Sequence, residues 1–237
     1  MLARDLGAWL RRLRGRPRQI AELDVPMLRM GSDYGGYCVC PTGLDHGSVV
    51  YSFGIGEDVS FDLAMIERFG VTVHAFDPTP RSIEWVSRQS LPAEFTLHPW
   101  GVASFDGTAR FTPPKNPAHV SHRLSEAAEG ARGFEAPVKR LGTIMRELGH
   151  DRVDVLKLDV EGAEYALLEE LWQTPAVGQL LLEFHHHLPG IPLARTEAAI
   201  DALMHAGFEL FHVSDTAHEF SFLRRGAPAR AAAFAGA

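Results

Sequence analysis

The stretch Val49-Val50-Tyr51-Ser52-Phe53-Gly54-Ile55-Gly56-Glu57-Asp58-Val59 decides how this chain folds. A short apolar run ends in two glycines and continues into Phe61 to Phe69, whose apolar residues recur at helical spacing. Glycines at a strand-to-helix turn let the backbone approach a ligand without Cβ clashes. A second strand, Val71 to Phe76, ends at Asp77-Pro78, 21 residues after Gly56. An acid at that distance can accept both hydroxyls of a ribose.

The same alternation extends along the chain. Arg81 to Arg88 reads as helix, Glu94 to Trp100 as strand and Thr108 to Thr112 as a short extended piece. Leu141 to Leu148 reads as helix with Gly149 as its C-cap, Val153 to Leu158 as strand and Ala163 to Leu171 as helix. Gln179 to Phe184 is a strand and Ala194 to His205 a helix, ended by Gly207; Phe208 to Val213 and Glu219 to Leu223 are strands. Such a pattern predicts an α/β fold: a mostly parallel sheet with helices on both faces. The last two strands lie too close for a helical crossover and should pair antiparallel.

The glycine loop is wrong for a dinucleotide. A third glycine is expected at position 59, where Val59 stands, and Glu57 and Asp58 would repel a pyrophosphate. An oxidoreductase using NAD is disfavoured on those grounds. The acids suit a nucleoside that carries no phosphate and a positive charge, and S-adenosylmethionine meets both conditions. Gly54, Gly56, Glu57 and Asp77 are therefore candidate cofactor residues. At the end of the third strand, Trp100 can stack on adenine or serve as ordinary core, and Gly101 can offer backbone groups to the base edge.

A second cluster carries chemistry. Val155-Leu156-Lys157-Leu158-Asp159-Val160-Glu161-Gly162-Ala163-Glu164 delivers Asp159 to the ligand edge of the sheet. Helix capping accounts for Glu164 and partly for Glu161, but poorly for Asp159, whose desolvation needs a partner. The next strand ends Glu183-Phe184-His185-His186-His187. If extended, it puts His185 and His187 on one face with Glu183. Asp159, His185 and His187 are candidate catalytic residues for general base work, and Asp159, Glu183 and His185 candidate ligands of a divalent metal.

These motifs resemble the FkbM-type branch of class I S-adenosylmethionine-dependent methyltransferases, on Gly54-Ile55-Gly56, Ala75-Phe76-Asp77-Pro78 and Leu156 through Glu164. Arg29-Met30-Gly31-Ser32-Asp33-Tyr34-Gly35-Gly36-Tyr37 and Glu183-Phe184-His185-His186 resemble a subgroup related to eukaryotic methyltransferase-like proteins. That subgroup often shows Asp-Gly-Gly-Tyr, whereas here Asp33 stands one place earlier, before Tyr34. The resemblance covers about Arg29 to Arg225. It implies a Rossmann-like, seven-stranded sheet with the last strand antiparallel, and cofactor contacts at Gly54, Gly56 and Asp77. It also implies methylation of a hydroxyl on a sugar or secondary metabolite. N-methylation on the same fold and a non-catalytic nucleoside-binding module are the alternatives.

Composition bounds the rest. The chain has 237 residues, 46% hydrophobic and 22% charged, enough for one full core. A net charge of −7 argues against nucleic acid as partner and leaves a small-molecule acceptor. Two cysteines, Cys38 and Cys40, cannot build a disulfide framework, which fits a reducing, cytoplasmic compartment. No apolar run is long enough to span a membrane. Residues 1–28 read as a basic helical extension, either docked on the domain or lying on a membrane surface; residues 29–225 read as the catalytic domain and 226–237 as a disordered tail. Residues 113–137, rich in proline and small residues, read as an irregular insertion above the ligand edge, a candidate substrate lid.

Overall fold

A computed structural model of the chain describes residues 2–112, 123–124, 133–171 and 177–226. Its elements in chain order are α1 (Leu2–Leu13), β1 (Leu28–Met30), β2 (Tyr37–Val39), β3 (Val49–Phe53), α2 (Ser60–Phe69), β4 (Thr72–Phe76), α3 (Pro80–Val86) and β5 (Phe95–His98). These are followed by β6 (Gly101–Val102), β7 (Gly107–Thr112), β8 (Arg123–Leu124), β9 (Phe134–Lys139), α4 (Leu141–Leu148) and β10 (Val153–Leu158). The chain closes with α5 (Glu164–Leu171), β11 (Val177–Glu183), α6 (Leu193–His205), β12 (Phe208–Val213) and β13 (Glu219–Arg224).

The central sheet has seven strands in the order β12-β13-β11-β10-β3-β4-β5. The run from β11 to β5 is parallel, and the last strand, β13, sits antiparallel between β11 and β12. All six residues of β10 are buried, as a strand covered on both faces requires. Period-two alternation sorts side chains between two cores. Tyr51, Phe53, Leu156 and Leu158 face α4, α5 and α6 through Ile144, Leu168 and Leu203. Val50, Val73 and Val155 face α2 and α3 through Phe61, Met65 and Val86. Each fully buried aliphatic or aromatic side chain here contributes about 1.5–3 kcal/mol. Gly149 closes α4 at φ 73°, as its C-cap position predicts.

The topology sets where a ligand can bind. From β3 the chain moves outward through β4 and β5, then returns to the other side of β3 as β10 and moves on to β11. The crevice above the carboxyl ends of β3 and β10 is therefore a topological switch point, where open α/β sheets bind ligands.

Two parts differ from expectation. The insertion is not irregular throughout. Phe134–Lys139 forms β9, which lies between β6 and β7 in a second sheet of order β6-β9-β7-β8. Its burial alternates, with Ala136 and Val138 inward and Glu135 and Pro137 outward. Pro137 is tolerated because β6 pairs only with Val138 and Lys139, so the missing N–H breaks no ladder bond there. Residues 113–122 and 125–132 of the candidate lid, and residues 227–237 of the tail, lie outside the described residues. The segment before β3 also forms a hairpin, β1 paired with β2, that periodicity alone did not reveal. Of the two alternatives for the N-terminal helix, the docked one is seen: Arg12 of α1 donates through Nε to Glu197 of α6 at 2.9 Å, and Gln19, beyond the helix, donates through Nε2 to Asp201 at 2.8 Å. Trp9 and Leu13 remain mostly exposed. No helix among the described residues is long and apolar enough to cross a membrane.

The hairpin is held by a buried amide. Gln179 on β11 accepts the Cys40 N–H at 2.9 Å and donates to the Cys40 carbonyl at 2.7 Å. Replacement by leucine leaves both backbone groups buried and unpaired, so Gln179→Leu should lower unfolding free energy by about 1–3 kcal/mol in a denaturant titration.

A histidine cluster on the α4 side of the sheet sets an acid limit. Burial, followed by the neighbouring His150 and His98, depresses the His74 imidazole to about 4. The unfolded chain then binds more protons than the folded one between about pH 6.5 and 4. The contribution of neutral His74 to stability is present above that window and is lost as pH falls through it. His74→Phe should flatten the pH dependence of the melting temperature in that range; an unchanged slope would remove His74 as its source.

Candidate active site

The turn after β3 is built on a backbone contact. Gly54 adopts φ 75°, and a Cβ there would stand 1.7 Å from the carbonyl oxygen of Asp159. Its N–H is held by the Phe76 carbonyl at 2.9 Å. From β10, the buried Lys157 donates to the Gly54 carbonyl at 3.1 Å and reaches that of Phe53 at 3.5 Å. Asp77, 4% exposed, completes the clamp: one carboxylate oxygen accepts the Gly56 N–H at 2.9 Å and the other the Thr79 N–H at 2.8 Å. Each oxygen keeps a further lone pair for a ligand.

The two acids of the loop are engaged rather than free. Arg81 holds Glu57 through paired bonds of 2.9 and 2.6 Å. Asp58 accepts the Ser32 hydroxyl at 2.6 Å and the Ser60 N–H at 2.8 Å. Burial opposes ionisation of Asp58, but the bonds from Ser32 and Ser60 outweigh it and hold the group below its ordinary value. Ser32 belongs to the β1–β2 turn, so this bond locks the hairpin onto the glycine loop.

A cavity of about 370 Å³ opens at this edge. Its walls are the β1–β2 turn from Asp33 to Tyr37, the glycine loop, Asp77 to Thr79, Gly101 and Val102, Phe111, Lys157, Asp159 to Glu161, Ala163, Glu183 and Glu219. Gly54, Gly56, Glu57, Asp77, Gly101, Asp159 and Glu183 from the sequence reading are thus brought together. Trp100 is not. The chain turns at Pro99, so Gly101 faces the cavity while Trp100 packs against His98 and Phe76, with Lys139 Nζ 3.6 Å above its ring. His187 is not on the wall either. Strand β11 ends at Glu183, so His185 and His187 are not on an extended strand, although their rings lie 5.6 Å apart. His187 is exposed, with its ring 4.6 Å from that of His218.

His185 sits just behind the wall, at the centre of the acids. Its Nδ1 lies 3.2 Å from Glu164, which is fully buried and also accepts the His185 N–H at 3.0 Å and the Gly162 N–H at 2.7 Å. Its Nε2 faces Asp159 at 3.6 Å, Glu161 at 3.7 Å and Glu183 at 3.9 Å. Burial opposes a charge on His185, but Glu164, Asp159 and Glu161 outweigh it and raise the imidazole to about 9. Burial, reinforced by Asp159, raises Glu183, and burial raises Asp159 against the pull of Lys157 and His185. Glu164, whose place at a helix start suggests a capping acid, is here the group that orients His185. Sequence reasoning also misses Phe111, whose alternation within β7 marks an inward residue but not which cavity it meets.

Because the Gly54 contact is backbone to backbone, no side chain can rotate away to make room. Gly54→Ala should therefore displace the loop, lower stability by about 1–3 kcal/mol and remove nucleoside binding, both readable by thermal shift with and without ligand.

With this geometry in place, the relatives can be considered. Residues 48–212 match the methyltransferase FkbM domain. Probable methyltransferase-like protein 24 from Rattus norvegicus is 30% identical over 181 residues, covering 69% of this chain and 42% of that protein. Its Homo sapiens counterpart is 29% identical over the same length and shares. The chain thus spans about two fifths of the length of these curated relatives. Among solved structures, Aeropyrum pernix fibrillarin with natively bound S-adenosyl-L-methionine aligns at 13% identity and a TM-score of 0.42, covering 77% of this chain and 68% of that one. The strand order, the glycine loop closed by Asp77 and the match over residues 48–212 converge, and the chain belongs to the family of FkbM-type methyltransferase domains.

Proposed function

We propose that this protein is an S-adenosylmethionine-dependent methyltransferase acting on a hydroxyl oxygen of a small acceptor, a sugar or secondary metabolite. The acidity of the cavity carries the cofactor half of this reading, and Asp159 as a proton acceptor carries the hydroxyl half. The cavity's described lining residues include eight carboxylates and a single lysine. Such a wall repels phosphates and favours a ligand bearing a sulfonium and an ammonium.

In this reading the ribose hydroxyls bond to the remaining lone pairs of Asp77, and Gly54 and Gly56 allow the close approach. Adenine lies beside Gly101, Val102 and Phe111, and Glu57 shapes the rim through Arg81. The sulfonium methyl then points toward Asp159. An oxygen lone pair of the acceptor forms the new O–CH3 bond as the S–CH3 bond breaks, and the hydroxyl proton passes to Asp159. S-adenosylhomocysteine leaves uncharged at sulfur. Much of the acceleration comes from alignment, because the methyl donor is already activated. His185 faces Asp159 and Glu161 from behind the wall and balances their charge, and His187, exposed beside it, serves no proton transfer in this reading. The same acidic wall suits an ammonium-bearing acceptor, so N-methylation is the second reading. The free thiols of Cys38 and Cys40 suit a reducing, cytoplasmic setting.

S-adenosylhomocysteine should raise the melting temperature by mass action, and NAD should not. Asp77→Ala should abolish most of that shift; full stabilisation of the variant would remove Asp77 from the cofactor site. With labelled S-adenosylmethionine and paired hydroxyl and amine acceptors, Asp159→Asn should lower O-methyl transfer about 100-fold or more while the homocysteine shift persists. An amine that reacts as the free base should be far less sensitive. Label found only in amine products would overturn the oxygen reading.

A further inference from the structure

We propose that Asp159, Glu161 and His185 form a binding site for one divalent cation at the acceptor end of the cavity, with Glu183 as a fourth donor. The inference deepens the methyltransferase reading, on which it rests for its purpose but not for its geometry.

Three separate backbone segments deliver the donors: the end of β10, the turn at Glu161 and the chain just past β11. One ligand atom from each of Asp159, Glu161 and His185 lies within 4.8 Å of the others. The spacings around His185 Nε2, 3.6, 3.7 and 3.9 Å, are too long for hydrogen bonds. They are close to those of donors sharing one ion. Atoms about 2.1 Å from a common centre stand roughly 3.0–3.5 Å apart, and small side-chain rotations close the difference.

His185 is prepared for this role. Its Nδ1 faces the buried Glu164 carboxylate, which can only accept when ionised, so the ring presents Nε2 to the cluster. A carboxylate behind a histidine is the ordinary support of a metal-ligating imidazole. With a side chain 3% exposed, His185 has no route by which to turn Nε2 to solvent. Glu161 completes the set from the turn after β10. It is one of two non-glycine residues with positive φ among the described residues, at 53°, and its carboxylate lies 3.7 Å from His185 Nε2. His185 is itself the cation among these acids, so an ion that takes Nε2 displaces its proton, while Lys157 directs its own protons to the carbonyls of Gly54 and Phe53.

One imidazole with two or three carboxylates is a hard to borderline donor set, suited to Mn²⁺, Mg²⁺ or Zn²⁺ rather than Cu⁺. Asp159, Glu161 and Glu183 also line the cavity, so open coordination positions would face the acceptor. The ligand class this implies is an acceptor that presents a hydroxyl oxygen to the ion.

The test uses the full-length protein freed of metal by a chelator and titrated with Mn²⁺, with free ion followed by electron paramagnetic resonance. One site per chain is expected. Glu161→Gln and Asp159→Asn should each weaken it at least tenfold, and Glu164→Gln by about 10–100-fold through loss of the supporting carboxylate. Circular dichroism and melting temperature establish that each variant is folded; if one is not, the others carry the measurement. No Mn²⁺ binding by the wild-type chain, or binding unchanged in both folded Glu161→Gln and Asp159→Asn, overturns the site. Stabilisation by S-adenosylhomocysteine is read separately without metal. A homocysteine shift without Mn²⁺ binding refutes the cation site alone; Mn²⁺ binding without that shift refutes the methyltransferase reading alone.

Discussion

The approach of Gly54 to the carbonyl of Asp159 is the contact on which the rest of this site depends. It requires a residue with no Cβ and positive φ, and it places the end of β3 directly against the end of β10. Once that contact is made, Asp77 can reach the Gly56 N–H and Lys157 can reach the Gly54 carbonyl. The glycine loop, Asp77 and Asp159 are therefore one unit rather than three motifs. A disturbance at any of them is transmitted through backbone atoms, which cannot repack as side chains do.

The same unit concentrates negative charge. Asp159, Glu161, Glu164 and Glu183 all lie around one imidazole, and each loses hydration by doing so. The fold offsets this cost unevenly. Glu164, the most deeply buried, receives two backbone N–H groups and the histidine ring. The other three are left facing the cavity with fewer internal partners. That asymmetry separates a structural acid from acids that face the cavity.

Much of the fold was legible in the chain. The apolar runs at Val49–Phe53, Thr72–Phe76 and Val153–Leu158 are short, β-branched and bounded by glycine or aspartate, and each is a strand of the sheet. The pair Phe208–Val213 and Glu219–Arg224 could be read as antiparallel because too few residues separate them for a helix. β9 was hidden by Pro137, which ordinarily argues against a strand, and was allowed here by the shortness of β6. The β1–β2 hairpin was hidden because its strands are three residues each and their anchor, Gln179, lies 139 residues from Cys40.

At the site, sequence alone determined the residue types and the strand ends that carry them: Gly54, Gly56, Asp77, Asp159 and Glu183 follow from local periodicity and from where apolar runs stop. Only the tertiary structure decided which side chains converge. Trp100 and His187 follow strand ends too, but a turn at Pro99 and the termination of β11 at Glu183 keep both off the cavity wall, and neither event is written in period-two alternation. Conversely, Tyr34, Tyr37 and Phe111 reach the cavity from the hairpin and the second sheet. Their place there depends on long-range docking, through Ser32 to Asp58 and Gln179 to Cys40, which no local pattern encodes.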